Sequence, residues 1–146
     1  MNETVTALAG VRGEHAQDAV GPREYTVVLF GARGSASVNI AGDSPGAYNV
    51  GTALTTWQGA VCNAILLTGG GIYGLDVASG VRQCSEDAWT SQQPKHTSDP
   101  QSLLERVVAG AVIFDLLVGS ATVRLDTAMG HAAAANASTL LVMEAM

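Results

Sequence analysis

Aromatic and charged residues are scarce in this chain. Of its 146 residues, 5% are aromatic and 14% are charged, whereas charged residues make up about 25% of a typical soluble domain. Lysine and arginine number 7 against 13 aspartates and glutamates, and no basic cluster interrupts the net charge of −6. A protein that binds the phosphate backbone needs such a cluster, so we expect no nucleic-acid partner.

Cysteine, histidine and long apolar runs are also few. Cys62 and Cys84 match no metal spacing, and the three histidines lie in unrelated contexts, so we expect free thiols, no metal and no cofactor. Residues Met1–Gly10 contain no basic stretch followed by an apolar core, which leaves a cytoplasmic location as the expectation. The longest apolar stretch, Val107–Val123, is interrupted by Asp115 and is shorter than the ~20 residues that a membrane span needs. We expect no membrane association.

The hydrophobic content of 47% predicts a packed core, and the length predicts a single domain over residues 1–146. Its class is α/β, because apolar strand-like runs alternate with helical patterns. The predicted strands are Tyr25–Phe30, Ser35–Ile40, Ala64–Thr68 and Val107–Leu117. The predicted helices are Tyr73–Gln83, whose apolar stripe begins at Ile72, and Thr127–Ala137, with Asp126 as its N-cap.

The remaining segments are predicted to connect these elements. Gly31–Gly34 reads as the turn of a hairpin between the first two strands, and Gly42–Gly51 as a loop. Thr52–Val61 is weakly helical, and the polar residues 86–101 predict an exposed excursion. Ala121–Arg124 is predicted to pair beside the last strand. The apolar end of the chain, Leu140–Met143, suggests a continuation beyond it.

One local motif has three interpretations. Gly69-x-Gly71-x-x-Gly74 follows a predicted strand and opens a predicted helix, as a dinucleotide-binding fingerprint does. That fingerprint also needs a second strand ending in an acidic residue about 20 residues on, whereas Ser85–Pro100 is polar and contains prolines. The alternatives are a glycine turn that lets the helix pack closely on its strand, and a turn whose N–H groups face a substrate oxygen.

The same motif lies at the centre of a resemblance to a known family. Leu66–Val81, LLTGGGIYGLDVASGV, resembles the LTGGSAYGLDAADGV signature of the DmpA-type aminopeptidases, which include L-aminopeptidase/D-esterases, β-peptidyl aminopeptidases and nylon-oligomer hydrolases. Further segments resemble the family in the same order, and together they span most of the chain. They are GVRGEHAQD (Gly10–Asp18), YTVVL (Tyr25–Leu29), VNIAGDSPGA (Val38–Ala47), GAVIFD (Gly110–Asp115) and RLDTAMGHAAAA (Arg124–Ala135).

The resemblance implies an αββα sandwich of the self-cleaving N-terminal nucleophile hydrolase-like type, which the ornithine acetyltransferases share. Such a precursor cleaves itself to expose a Ser or Thr nucleophile whose own α-amine is available as base. This chain resembles the front part only, so we expect its fold to be incomplete and its nucleophile to lie beyond it. We also expect the rest of the enzyme or sister subunits as partners, in a homo-oligomer.

The resemblance places the family's active-site tyrosine on Tyr73, implying a catalytic residue, with Gly70 and Gly71 binding a peptide or small amide substrate. The implied function is removal of N-terminal residues from peptides or amides, although we expect the isolated chain to be inactive. Departures from the family pattern include Gly71 in place of its serine and Leu125 in place of its proline. A non-catalytic scaffold remnant with a binding or assembly role is therefore the alternative.

Overall fold

A computed structural model describes residues 4–18, 21, 23–42, 46–51, 61–91 and 106–139. These residues form one five-stranded sheet, two α-helices and two short 3-10 helices. The strands are β1 (Val11–Gln17), β2 (Glu24–Ser35), β3 (Ala47–Tyr48), β4 (Val61–Thr68) and β5 (Val108–Val112). The helices are α1 (Asp76–Thr90) and α2 (Thr127–Asn136), and the 3-10 helices are Val5–Ala7 and Gly71–Leu75.

The sheet is mixed, with strand order β1-β2-β4-β5-β3. Only β4 and β5 run parallel, and α1 lies between them in the chain as part of the crossover. All other neighbouring strands are antiparallel. The predicted α/β class is confirmed.

Both helices pack on the same face of the sheet. Alternate residues of β2 and β4, such as Val27 and Leu66, are fully buried there together with Val77 of α1 and Ala133 of α2. On the opposite face Ile65 and Leu67 are 39% and 51% exposed, as the period-two alternation of a strand requires. The described residues therefore form a helix layer on a sheet whose second face carries no described helix.

The hairpin predicted at Gly31–Gly34 is wrong. The strand that begins at Glu24 continues to Ser35, and its pairing with β4 shifts register between Leu29 and Gly34. The glycines therefore accommodate an irregularity within one strand instead of a reversal of the chain. Residues 36–40 form no strand, and the antiparallel hairpin partner of β2 is β1, which lacks a regular apolar alternation.

The last predicted strand is shorter than expected. It ends at Val112, and residues 113–117 leave the sheet. Ala121–Arg124 forms no strand beside it. The predicted loop Gly42–Gly51 contains the two-residue strand β3, which pairs with β5. The weak helix over residues 52–60 and the apolar segment 140–143 lie outside the described residues.

The helices follow the prediction more closely. Asp126 caps α2, its Oδ1 accepting a hydrogen bond from the Met129 amide at 2.9 Å. The predicted helix Tyr73–Gln83 begins with the 3-10 helix Gly71–Leu75. Ile72 is 70% exposed there, so it does not belong to the buried apolar face of the helix. Because α1 runs to Thr90, the polar excursion predicted from residue 86 is helical at its start. Residues 92–101 of that excursion are not described.

Two glycines let the helices approach each other closely. A Cβ on Gly80 of α1 would collide with the carbonyl oxygen of Thr127, and one on Gly130 of α2 would collide with the carbonyl oxygen of Val77. The two helix backbones are therefore in direct contact at these positions. Among the described residues, no helix combines the length and apolar character that crossing a membrane requires.

Candidate functional site

Tyr73 projects from the end of the sheet. The 3-10 helix Gly71–Leu75 starts three residues after β4 ends and holds Tyr73 with its side chain 50% exposed. The guanidinium of Arg124 lies over its ring, 4.3 Å from the centroid. This is the distance range of a cation–π contact. The phenol is thus accessible and its ring is held against a cation.

The turn before Tyr73 depends on backbone conformations that favour glycine. Gly70 has φ 84° and Gly71 has φ 59°, and both residues are buried. The Gly70 amide donates to Asp115 Oδ1 at 2.6 Å, and the Gly71 amide donates to the Ile113 carbonyl at 3.1 Å. Both amides have protein acceptors, so these glycines shape the turn in this structure. A role for either in substrate binding stays a prediction.

A buried ion pair supports this turn. Arg23 is completely buried, and its Nη1 lies 2.7 Å from Asp115 Oδ1, the same oxygen that receives the Gly70 amide. The guanidinium also donates to the carbonyls of Asp115 and Ser120, at 2.6 and 2.9 Å, while its Nε has no partner. Sequence reasoning missed Arg23 and gave Asp115 no role. The only available signal was Asp115 closing the VIFD motif, since nothing local marks Arg23.

The positions of the three motif glycines favour the close-packing interpretation. A Cβ on Gly69 would collide with Asp115 Oδ2, and one on Gly74 would collide with the Gly69 carbonyl oxygen. In a dinucleotide site the amides at such a turn face a phosphate. Here the Gly70 amide donates to the Asp115 carboxylate, so it is not available to a phosphate.

No metal centre forms among the described residues, in which no three His, Cys, Asp or Glu side chains lie close enough to hold an ion. Cys62 and Cys84 are free thiols, as predicted. Burial, followed by the charge of Asp87, raises the pKa of the Cys84 thiol.

His15 lies on the sheet face opposite the helices, where its Nδ1 is 2.9 Å from Thr26 Oγ1.

That second face carries an apolar groove of about 200 Å³. It crosses the centre of the sheet, away from Tyr73, and almost all of its lining is apolar. Lining residues include Val38, Val50, Ile65, Leu67 and Ala109. With so little polar surface, the groove offers packing area and few groups for chemistry.

A second set of apolar side chains is exposed around the glycine turn. Phe114 lies beside Gly71, and the exposed members of the set are Ile72, Ile113, Phe114, Leu117 and Val118. We call this set, which begins at the residue before Tyr73, the apolar ledge.

Comparison of the chain with models of known protein families finds no match, and neither does comparison with curated protein sequences.

Proposed function

We propose that this chain is the front part of a self-cleaving amidohydrolase of the DmpA type, an aminopeptidase that removes N-terminal residues from peptides or small amides. The observation that carries the proposal is the position of Tyr73. In the motif that resembles the family signature, Tyr73 is half exposed in the 3-10 helix after β4, next to a turn held by buried groups.

The geometry of the turn supports a catalytic phenol. The Arg23–Asp115 pair fixes Gly70, and the 3-10 helix that follows fixes the backbone of Tyr73. A phenol on a rigid support can donate a hydrogen bond to a carbonyl oxygen as negative charge develops on it. Such stabilisation is effective because the donor needs no reorganisation during the reaction.

The sheet is compatible with one half of an αββα sandwich. Its helix-covered face is packed, whereas Ile65 and Leu67 on the other face are exposed next to the apolar groove. A second sheet packed on this face would bury them, as in sheet-on-sheet folds. In the proposed enzyme that sheet, the Ser or Thr nucleophile and its amine base come from sequence beyond Met146 or from sister subunits.

In the proposed reaction the Ser or Thr oxygen attacks the carbonyl carbon of the scissile amide and gives its proton to the α-amine. Tyr73 donates to the carbonyl oxygen, which becomes negatively charged in the tetrahedral intermediate. The amine product leaves with a proton, and water then releases the acyl group from the nucleophile. No cofactor takes part in this scheme, and a cytoplasmic homo-oligomer is the proposed setting.

The test uses the reading frame extended beyond Met146. It should encode a Gly-Ser or Gly-Thr cleavage motif, and the extended protein should cleave itself and hydrolyse amino-acid p-nitroanilides. Tyr73→Phe should lower turnover about 10²–10³-fold, the loss typical of one oxyanion donor, while leaving the melting temperature almost unchanged. The 146-residue chain alone should show no hydrolysis above a buffer blank. Unimpaired turnover of Tyr73→Phe would exclude the assignment.

The second candidate is a non-catalytic scaffold with a binding or assembly role. It is favoured by the engagement of the Gly70 and Gly71 amides with protein acceptors, which removes two candidate donors from a substrate. The extended protein separates the two functions. Correct folding without self-cleavage or hydrolysis supports the scaffold, whereas self-cleavage supports the enzyme.

A further inference from the structure

Arg124 presents one edge of its guanidinium for a ligand. Its Nη1 donates to the carbonyl of Val123 at 2.9 Å and to that of Ala121, and its Cζ lies over the Tyr73 ring, 4.3 Å from the centroid. The guanidinium is therefore held through Nη1 by two carbonyls and through one side by the Tyr73 ring. No contact among the described residues occupies its Nη2 and Nε, and the side chain is exposed.

The nearby carboxylates that could pair with Arg124 have other partners. Asp126, two residues on, accepts the Met129 amide as the cap of α2. Asp115 pairs with the buried Arg23. Among the described residues, no carboxylate oxygen lies within ion-pair distance of Arg124, although the chain as a whole is acidic. Its charge is available to an external anion.

We infer that Arg124, stacked on Tyr73, binds the carboxylate of a short peptide whose scissile carbonyl lies at the Tyr73 hydroxyl. The planar fork of an arginine matches a carboxylate and can donate two parallel hydrogen bonds to it. An extended peptide advances about 3.3–3.6 Å per residue. The Tyr73 hydroxyl and the Arg124 guanidinium lie at the same ring. One residue can therefore connect a scissile carbonyl at the hydroxyl to a terminal carboxylate at the guanidinium.

The apolar ledge adds a preference for the side chain of that last residue. Ile72 and Phe114 are 70% and 68% exposed beside the turn, and an apolar side chain placed on them would remove surface from water. The substrate class is therefore a dipeptide with a free C-terminal carboxylate and an apolar last residue. This inference rests on the proposed function and names the substrate class for its site.

The test measures binding to the 146-residue chain by nuclear magnetic resonance, following the amides of residues 70–75. The probes are the dipeptide Ala-Phe and its C-terminal amide, which differ only in the carboxylate. We expect Ala-Phe to bind at least tenfold more tightly than the amide and to weaken with added salt. Arg124→Gln should abolish the preference, and Arg124→Lys, which keeps the charge but not the fork, should retain a smaller one.

Arg82→Gln is the matched control. Arg82 is a partly exposed arginine of α1, with Glu86 3.8 Å away. Arg82→Gln therefore removes the same positive charge as Arg124→Gln, but outside the Tyr73 site. It should leave the preference intact. The inference would be overturned if the two probes bind equally or if neither binds. It would also be overturned if Arg82→Gln loses the preference for Ala-Phe as fully as Arg124→Gln does. Should Arg124→Gln fail to fold, a preference undiminished in Arg124→Lys would overturn it as well.

Turnover by the extended protein separates this inference from the proposed function. Hydrolysis of Ala-Phe and its amide with equal KM would refute the role of Arg124 and leave the aminopeptidase proposal intact. Carboxylate-dependent binding at residues 70–75 without any hydrolysis would support the Arg124 site and refute the proposed enzyme.

Discussion

Asp115 should be among the most sensitive positions in the protein, because its carboxylate neutralises the buried Arg23 and also accepts the Gly70 amide. Removing one partner of a buried ion pair typically costs 3–5 kcal/mol, since the other charge is left uncompensated. The Asp115 side chain is 21% exposed, and water at the site lowers this cost. We therefore expect Asp115→Asn, whose amide oxygen can still accept from Gly70, to lose about 2–3 kcal/mol of unfolding free energy.

Asp115→Ala should lower the unfolding free energy by about 1–2 kcal/mol more than Asp115→Asn does, because the Gly70 amide then has no acceptor. Urea unfolding followed by far-ultraviolet circular dichroism measures both variants. A double-mutant cycle of Asp115→Asn with Arg23→Met isolates the pair itself, and its coupling energy should exceed about 1 kcal/mol.

The control cycle uses Arg82 and Glu86, which are largely exposed and lie 3.8 Å apart on α1. Exposed helix pairs of this kind contribute about 0.3–0.5 kcal/mol. A coupling between Arg23 and Asp115 no larger than that of the control pair would refute the reasoning. Hydrogen exchange at the Gly70 amide provides a local check, because Asp115→Ala should accelerate it more than global destabilisation requires.

Three further predictions concern helix packing, the pH dependence of stability and association of the chain. Gly80→Ala and Gly130→Ala should each cost about 1–3 kcal/mol despite the better helix propensity of alanine, because the added methyl meets the facing helix backbone; a raised melting temperature would contradict this. Burial, followed by the charge of Asp126, raises the pKa of Tyr25 above its ordinary value of 10.0. The contribution of Tyr25 to stability should therefore be fully present below that pH and be lost above it, because the unfolded state loses the phenol proton first. Tyr25→Phe should flatten the fall in melts recorded across that range. The exposed Leu67, beside the apolar groove, should make the chain associate at micromolar concentration, as measured by light scattering, and Leu67→Asn should reduce the association; a monodisperse parent monomer would refute it.

Local signals predicted the middle of the molecule well. The run Ala64–Thr68, the glycines after it and the helix that follows appear in the structure in that order. A strand or helix of this kind depends on its own periodicity and on turn residues within a few positions. The role of Tyr73 came only from the resemblance and stays a prediction, because helical periodicity alone does not distinguish a site tyrosine from a packed aromatic.

The sequence was less informative where an element depends on a distant partner. Val11–Gln17 lacks a strand pattern of its own and becomes β1 by pairing with β2. Val107–Leu117 reads as one apolar strand, yet β5 ends at Val112 because the following residues bring Asp115 beside Gly70 and Arg23. Apolar periodicity carries no information about such polar contacts.

By itself, the sequence determined the α/β class, the glycine turn after β4 and the capped, alanine-rich helix α2, because each follows from interactions between residues close in the chain. The tertiary structure decided the strand order, the end of β5 and the composition of the candidate site. Arg23 and the Asp115 carbonyl it contacts are 92 residues apart. Tyr73 and Arg124, which also lie far apart in the chain, come into contact just beyond the end of β4. A buried charge must find a partner wherever the fold provides one, and for Arg23 that partner was set by the chain path and not by its neighbours in sequence.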